Sequence, residues 1–88
     1  MEQRKVAFIS SAFRHNFTEA DIRWALDNHL ADGVIEEGDA AIRIAVGFDP
    51  SVNLLLEVMY HELEDGTALV FHAMKCRKKW RVELEIEE

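Results

Sequence analysis

The sequence is poor in the residues that build covalent links and metal sites. It has one cysteine, Cys76, so no intramolecular disulfide can form. Its four histidines lie far apart along the chain, and no Cys/His cluster has the spacing of a zinc site. We therefore expect neither a metal ion nor a cofactor.

Long apolar runs are also missing. The first 20 residues contain no hydrophobic region of a signal peptide, and no apolar stretch approaches the length that spans a membrane. We therefore predict a cytoplasmic protein without membrane contact. The 88 residues predict a single domain, 1–88, with a core so small that a second copy or a partner protein would add to its stability.

Positive charge is scarce and unevenly distributed. The net charge is −7, which argues against general nucleic-acid binding because that function needs a basic surface. Residues 1–71 carry 13 acids and 5 bases, whereas residues 72–81 carry 5 bases and no acid. This basic segment, 72–81, is the best place to look for a binding function, although a solvated charged face is the simpler interpretation.

One main helix is predicted, from Thr18 to His29. Thr18 is a good N-cap, and Asp21 three residues later completes an acidic variant of the capping box. Apolar residues recur at helical spacing, and we expect Asp32-Gly33 to stop the helix. A short strand, 5–10, and a brief helical turn from Ser10 to Arg14 precede it.

Strands make up most of the rest. Alternation and turn residues predict an edge strand at 34–37 and longer strands at 41–48, 54–63 and 67–73, the last three consecutive and antiparallel. The turns fall at Gly38-Asp39, at Pro50 and at Gly66. Residues 75–88 read as a helix, an irregular tail or a final strand.

These elements predict an α+β fold. We expect an antiparallel sheet of three to five strands, with the main helix packed on one face and a helix or tail at the C-terminus. The apolar stripe of the helix should contact the face of the 41–48 strand that alternation makes apolar. The expected contact joins Ile22, Ala25 and Leu26 to Ile42, Ile44 and Val46.

His72, Lys75 and Arg77 are the candidate catalytic residues. An imidazole titrates near neutral pH and can transfer protons, and alternation puts His72 on the same face as Val70. Cations such as Lys75 and Arg77 can stabilise charge that builds up on a phosphoryl group. The simpler alternative for His72 is a hydrogen-bonded surface histidine.

Candidate RNA-binding residues flank them. Lys78 and Lys79 can hold a phosphate backbone, and Trp80 can either stack on a base or anchor the tail to the core. Arg14 and His15 precede the helix cap and could contact phosphate from the far side of a cleft, or be an ordinary loop pair. A role in binding phosphate requires Arg14 or His15 to lie near the basic segment.

Two parts of the chain resemble the BrnT-like toxins. Residues 12–26, AFRHNFTEADIRWAL, are similar to the opening of that family, where a basic residue and a histidine precede a capped helix. Residues 55–67, LLEVMYHELEDGT, and 71–80, FHAMKCRKKW, resemble its long strand, turn, returning strand and basic tail. They also look like a pattern of small bacterial toxin-like proteins, LLEV…DG…HAM-x-x-R-x-K-[YW]. The family step S-A-R-K reads His72-Ala73-Met74-Lys75 here.

The resemblance implies a type II toxin with a RelE/ParE-like fold. Such proteins are small ribonucleases that act on RNA and are silenced by a cognate antitoxin, and a homo-oligomer is possible. A non-enzymatic alternative is a protein-binding module on a degenerate toxin fold. In that case the basic segment would bind an acidic partner or the acidic tail, which contains Glu83, Glu85, Glu87 and Glu88.

Overall fold

The computed structural model describes residues 4–37 and 41–86. Its first half contains strand β1 (Val6–Phe8), a short 3-10 helix (Ser10–Phe13), helix α1 (Glu19–Asp27) and strand β2 (His29–Glu36). Three strands and a helix follow: β3 (Ile42–Asp49), β4 (Leu54–Glu62), β5 (Ala68–Lys75) and α2 (Lys78–Glu83). The class is α+β, as expected. The predicted turn at Gly38-Asp39 lies outside the described residues.

All five described strands form one sheet in the order β1-β5-β4-β3-β2. The neighbours β3, β4 and β5 pair antiparallel, which confirms the predicted meander with β4 at its centre. β1 pairs parallel with β5, from Val6 opposite Ala68 to Phe8 opposite Val70. The prediction of a purely antiparallel sheet is therefore wrong, because the chain crosses from β1 to the far edge before it returns.

Helix α1 begins as the sequence predicts and ends early. The Thr18 hydroxyl accepts from the Asp21 N–H at 3.1 Å, and the Asp21 carboxylate accepts from the Thr18 N–H at 3.0 Å, which confirms the capping box. The helix ends at Asp27, and β2 starts at His29. Asp32 and Gly33 lie inside β2, so the prediction that they stop the helix is wrong. Pairing with β3 extends the edge strand past them.

The sheet carries a buried cluster on each face. The α1-side cluster joins α1 to small and aliphatic residues of the sheet; its members include Ile22, Ala25, Leu26, Ala45, Leu56, Val58, Tyr60, Ala68, Val70 and Ala73. The α2-side cluster joins the C-terminal residues to the other face and contains Ile44, Val46 and Cys76, with Leu55, Met59, Trp80, Leu84 and Ile86 packed against them. The open question about residues 75–88 is thereby answered for 78–83, which form α2.

The predicted contact of α1 with Ile44 and Val46 is wrong, because α1 covers the opposite face of β3. That face offers Ala45 and Gly47, whose small size lets the helix approach the strand. A Cβ added at Gly47 would lie 2.1 Å from the backbone oxygen of Ala25, so the two backbones are nearly in contact. Close approach of a helix to a sheet selects small residues, and the bulky side of β3 is left for the C-terminal residues.

Candidate active site

The centre of the site is Glu57, an acid in the middle of the central strand. Its side chain is fully buried (0% exposed). Oε1 accepts from the backbone N–H of Arg77 at 2.9 Å and from its Nε at 3.1 Å, and Oε2 accepts from Nη2 of Arg77 at 2.7 Å. Nε2 of His72 lies 3.0 Å from Oε2. A buried charge needs such partners, and Glu57 has them on both oxygens.

These partners decide the charge of Glu57. Burial alone would raise the pKa of this carboxyl, but the hydrogen bonds from Arg77 and His72 and the charge of Arg77 outweigh it and lower the pKa. The hydrogen bond to Glu57 in turn raises the pKa of the Arg77 guanidinium. Glu57 is therefore a carboxylate at neutral pH. Sequence analysis missed it, although a single acid inside the apolar run LLLEVMY is a signal for a buried, partnered charge.

A β-bulge turns His72 toward Glu57. Tyr60 pairs with Val70 and Met59 pairs with His72, so β5 has one extra residue, Phe71, at this point. The bulge reverses the alternation, and His72 lies on the opposite face from Val70. The prediction that these two residues share a face is therefore wrong. Strict alternation cannot anticipate one inserted residue, and here that residue creates the contact with the buried acid.

His15 lies beside His72. The two ring centroids are 5.8 Å apart, and the rings meet edge to face at 78°. The 3-10 helix brings His15 there because it is tied to β5: the Ser11 hydroxyl donates to the carbonyl of Phe71 at 2.6 Å, and the Ile9 N–H donates to the carbonyl of Val70 at 3.0 Å. The expectation that Arg14 or His15 lies near the basic segment is confirmed by His15. Arg14 precedes it and is exposed.

The rest of the basic segment divides between surface and core. Lys75 pairs with Leu56, whose side chain belongs to the α1-side cluster, so Lys75 lies on the opposite face of the sheet from His72. Lys78 and Lys79 are exposed on α2. Trp80 packs against the α2-side cluster, with Nζ of Lys79 4.8 Å from its ring centroid. The structure thus uses Trp80 as an anchor of the C-terminal residues.

The candidate site therefore contains four groups: the exposed imidazole of His15, the half-buried imidazole of His72, the buried carboxylate of Glu57 and the guanidinium of Arg77. His72 is 23% exposed and Arg77 is 44% exposed at the side chain, so both can meet a ligand while they hold Glu57. Chemically this is a proton-transfer pair next to a cation. Among residues 4–37 and 41–86, no group of three or more His, Cys, Asp and Glu side chains is placed to hold a metal ion.

Comparison with known proteins identifies no relative. No protein-family model matches the chain, and no curated protein or solved structure matches it at a significant level. None of the described helices is long and apolar enough to cross a membrane. The site must therefore be interpreted from its own chemistry.

Proposed function

We propose that the protein is the toxin component of a bacterial type II toxin-antitoxin system, a cytoplasmic endoribonuclease whose proton-transfer groups are His15 and His72. The observation that carries the proposal is the contact of the two imidazoles, with His72 held by the buried carboxylate of Glu57. Two imidazoles side by side suit transesterification of RNA, because that reaction needs one base and one acid.

The tautomer of His72 assigns its role. An ionised carboxylate only accepts hydrogen bonds, so Nε2 of His72 carries the proton that faces Glu57. In the neutral ring, the lone pair is then on Nδ1. Nδ1 takes the proton of the ribose 2′-hydroxyl, the 2′-oxygen forms a bond to phosphorus, and the bond from phosphorus to the 5′-oxygen breaks. Protonated His15 gives its proton to that leaving oxygen. The products are a 2′,3′-cyclic phosphate and a 5′-hydroxyl.

Arg77 is the cation that shares the Glu57 carboxylate with His72. Its Nε and Nη2 bind Glu57, while Nη1 is not among the atoms that do so. Nη1 would stabilise charge on the phosphoryl oxygens. Exposed Lys78 and Lys79, with Arg14, would hold the RNA backbone, and an antitoxin would silence the toxin by covering this surface.

A second candidate function is a protein-binding module without activity. Two observations favour it: the charge of Arg77 is largely engaged by Glu57, and the chain carries a net charge of −7.

Expression of the protein without a partner in a bacterial host tests the proposal. Growth should stop, and RNA from the arrested cells should carry new 2′,3′-cyclic phosphate and 5′-hydroxyl ends. The purified protein should cut an RNA oligonucleotide and leave intact one with 2′-deoxyribose at the cleavage site. If cells grow normally at high expression and the purified protein leaves RNA uncut, the ribonuclease proposal is wrong and the protein-binding module is the remaining candidate function.

A further inference from the structure

A cavity lined by cations lies on the same edge of the sheet as the two histidines. Its volume is about 460 Å³, and the described residues around it are Arg4, Lys5, Val6, Ala7, Arg23 and Thr67. Three of these six are basic and none is acidic. In a chain with 17 acids and 10 bases, this concentration of positive charge is unusual.

The two arginines of the cavity are held in place. Nη2 of Arg23, which comes from α1, lies 3.5 Å from the carbonyl oxygen of Val6. The guanidinium of Arg4 lies 5.3 Å from the ring centroid of Tyr60, which is buried. Side chains already fixed by such contacts lose less conformational freedom when an anion binds.

The acids near the cavity that the structure describes, Glu62 and Asp65, already have partners of their own. Glu62 is shared between Arg4, at 3.7 Å, and Arg43, at 3.2 Å. Asp65 accepts from the N–H of Thr67 at 2.9 Å, and Lys5 adds only a smaller contribution to the lowering of its pKa. Among residues 4–37 and 41–86, four cations (Arg4, Lys5, Arg23 and Arg43) are thus set against two carboxylates, and the contact of the Arg23 guanidinium is to a backbone oxygen, which carries no net charge.

The backbone adds a further donor. Lys5 O and Ile9 N bond to β5, so in this parallel pair the odd-numbered residues of β1 face β5. The N–H and carbonyl of Val6 therefore face the outer edge. The carbonyl is taken by Arg23, and the N–H points to the side of the strand where the cavity lies. Backbone N–H groups together with arginine are the usual donors to phosphate oxygens.

We propose that this cavity binds a phosphate of the RNA strand beside the scissile bond. The inference rests on the proposed function for the identity of the ligand. Val6 pairs with Ala68, and Ala68 and His72 pair with Glu62 and Met59, which are three residues apart on β4; at about 3.3 Å per residue the cavity therefore lies roughly 10 Å along the sheet edge from the reacting histidine. A dinucleotide would occupy the histidine site alone. A longer strand would also place a phosphate in the cavity.

Binding of an uncleavable strand tests the cavity separately from catalysis. The ligand is an eight-nucleotide 2′-O-methyl RNA, and its affinity is measured against salt concentration for the wild type, Lys5→Gln, Arg23→Gln and Arg23→Lys. Each glutamine variant should weaken binding about tenfold and lower the slope of log K against log salt by about 0.7. Arg23→Lys keeps the charge and should recover part of the loss. Lys5 is exposed, so Lys5→Gln should leave the fold intact, and weaker binding by this variant cannot be attributed to unfolding.

Cleavage of two substrates shows whether the reaction uses the cavity. Arg23→Gln and Lys5→Gln should lower kcat/KM for an octanucleotide about tenfold and leave kcat/KM for a dinucleotide unchanged. Equal rates and equal affinities for wild type and variants would overturn the inference and leave the proposed function intact. Charge-dependent binding by a protein that cuts nothing would keep the cavity and reject the ribonuclease.

Titration with inorganic phosphate separates the two sources of the anion. Amide NMR shifts at Val6 and Thr67 that saturate with phosphate, without any effect of Lys5→Gln on octanucleotide binding, would assign the cavity to the free ion. The proposal of an RNA phosphate would then be wrong. If the octanucleotide displaces phosphate from these amides, the RNA assignment is supported.

Discussion

Arg77 binds Glu57 from two directions: its guanidinium meets both carboxylate oxygens, at 3.1 and 2.7 Å, and its own backbone N–H meets Oε1 at 2.9 Å. The start of α2 is therefore fixed to the centre of the sheet. Because the same carboxylate also contacts Nε2 of His72, one buried acid holds His72 and Arg77, two of the predicted catalytic residues, close together.

Replacement of Arg77 should destabilise the protein, because the buried carboxylate of Glu57 would lose its main partner. Arg77→Met should lower the free energy of unfolding at pH 7 by roughly 2–4 kcal/mol, less than for a fully buried pair because solvent screens the half-exposed guanidinium. Arg77→Lys keeps the charge but loses the two-pronged geometry, and should lose less. Urea denaturation measures both. A loss below about 0.5 kcal/mol for Arg77→Met would mean that Glu57 does not depend on this partner.

Stability should depend on pH in opposite directions in wild type and Arg77→Met. The pKa of Glu57 is lowered in the folded wild type, so its contribution is present above its ordinary value of 4.5 and is lost as the pH falls through the lower folded value. Asp21, with a pKa lowered to about 2 mainly by the Thr18 N–H, adds to the same acid loss.

In Arg77→Met, the side-chain hydrogen bonds and the charge of Arg77, which lower the pKa of Glu57, are lost, so the effect of burial should dominate and raise this pKa. The variant should therefore regain stability as the pH falls from 7 toward 5, while the wild type stays level in that range. Thermal melts at half-unit pH intervals would show the difference. Parallel curves for the two proteins would contradict the ionised, partnered state of Glu57.

The two histidines should be needed for cleavage to a similar degree. His15→Ala and His72→Ala should each lower the cleavage rate by about 10²–10⁴-fold, because each removes one proton-transfer group. His29→Ala is the matched control, since His29 starts β2 at the opposite edge of the sheet. A loss confined to His72→Ala would identify His15 as a neighbour without a chemical role.

Glu57→Gln should act through His72. The amide can donate as well as accept, so it no longer fixes the proton on Nε2, and the rate should fall less than in His72→Ala with a changed pH profile. An unchanged profile in a stable, slower variant would mean that Glu57 serves the fold alone.

The packing of α1 on β3 predicts that a substitution of Gly47 destabilises the protein more than one of Gly33. Gly47→Ala should lower the free energy of unfolding by about 1–3 kcal/mol or more, because its Cβ would meet the backbone oxygen of Ala25 at 2.1 Å. At Gly33 the nearest atom is Cδ2 of Leu84 at 3.0 Å, a side-chain end that can move, so Gly33→Ala should cost less. Denaturant titrations of the two variants compare them directly, and equal losses would contradict the helix position.

Local patterns predicted the local structure well. The capping box at Thr18 needs only contacts three residues apart, and the meander needs only alternation and turns such as that at Gly66, where φ is +88°. The missed features are long-range. Helix α1 covers the face of β3 that carries Ala45 and Gly47, because these small residues let Ala25 come close to the strand. Alternation distinguishes the two faces of a strand, but it does not say which of them a helix covers.

The candidate site was predicted by residue type more than by geometry. His72 and Arg77 are brought together, and His15 joins them, but the acid that links them was overlooked because charged residues in strands usually face solvent. Lys75 lies on the other face because the bulge at Phe71 shifts the alternation between it and His72. Inserted residues of this kind have no signature in a single sequence.

The parallel pairing of β1 with β5 has a consequence for the order of events during folding. Ser11 donates to the carbonyl of Phe71 across sixty positions of the chain, whereas strands β2 to β5 follow one another along the chain after short connections. Contacts so distant in sequence form slowly, because a long loop must close before they contribute. The β2–β5 meander can assemble first, and the two imidazoles meet only when the N-terminal segment docks. If the proposed ribonuclease activity is correct, a chain whose β5 has not yet been made would have no paired histidines, so cleavage could begin only after the N-terminal segment has docked.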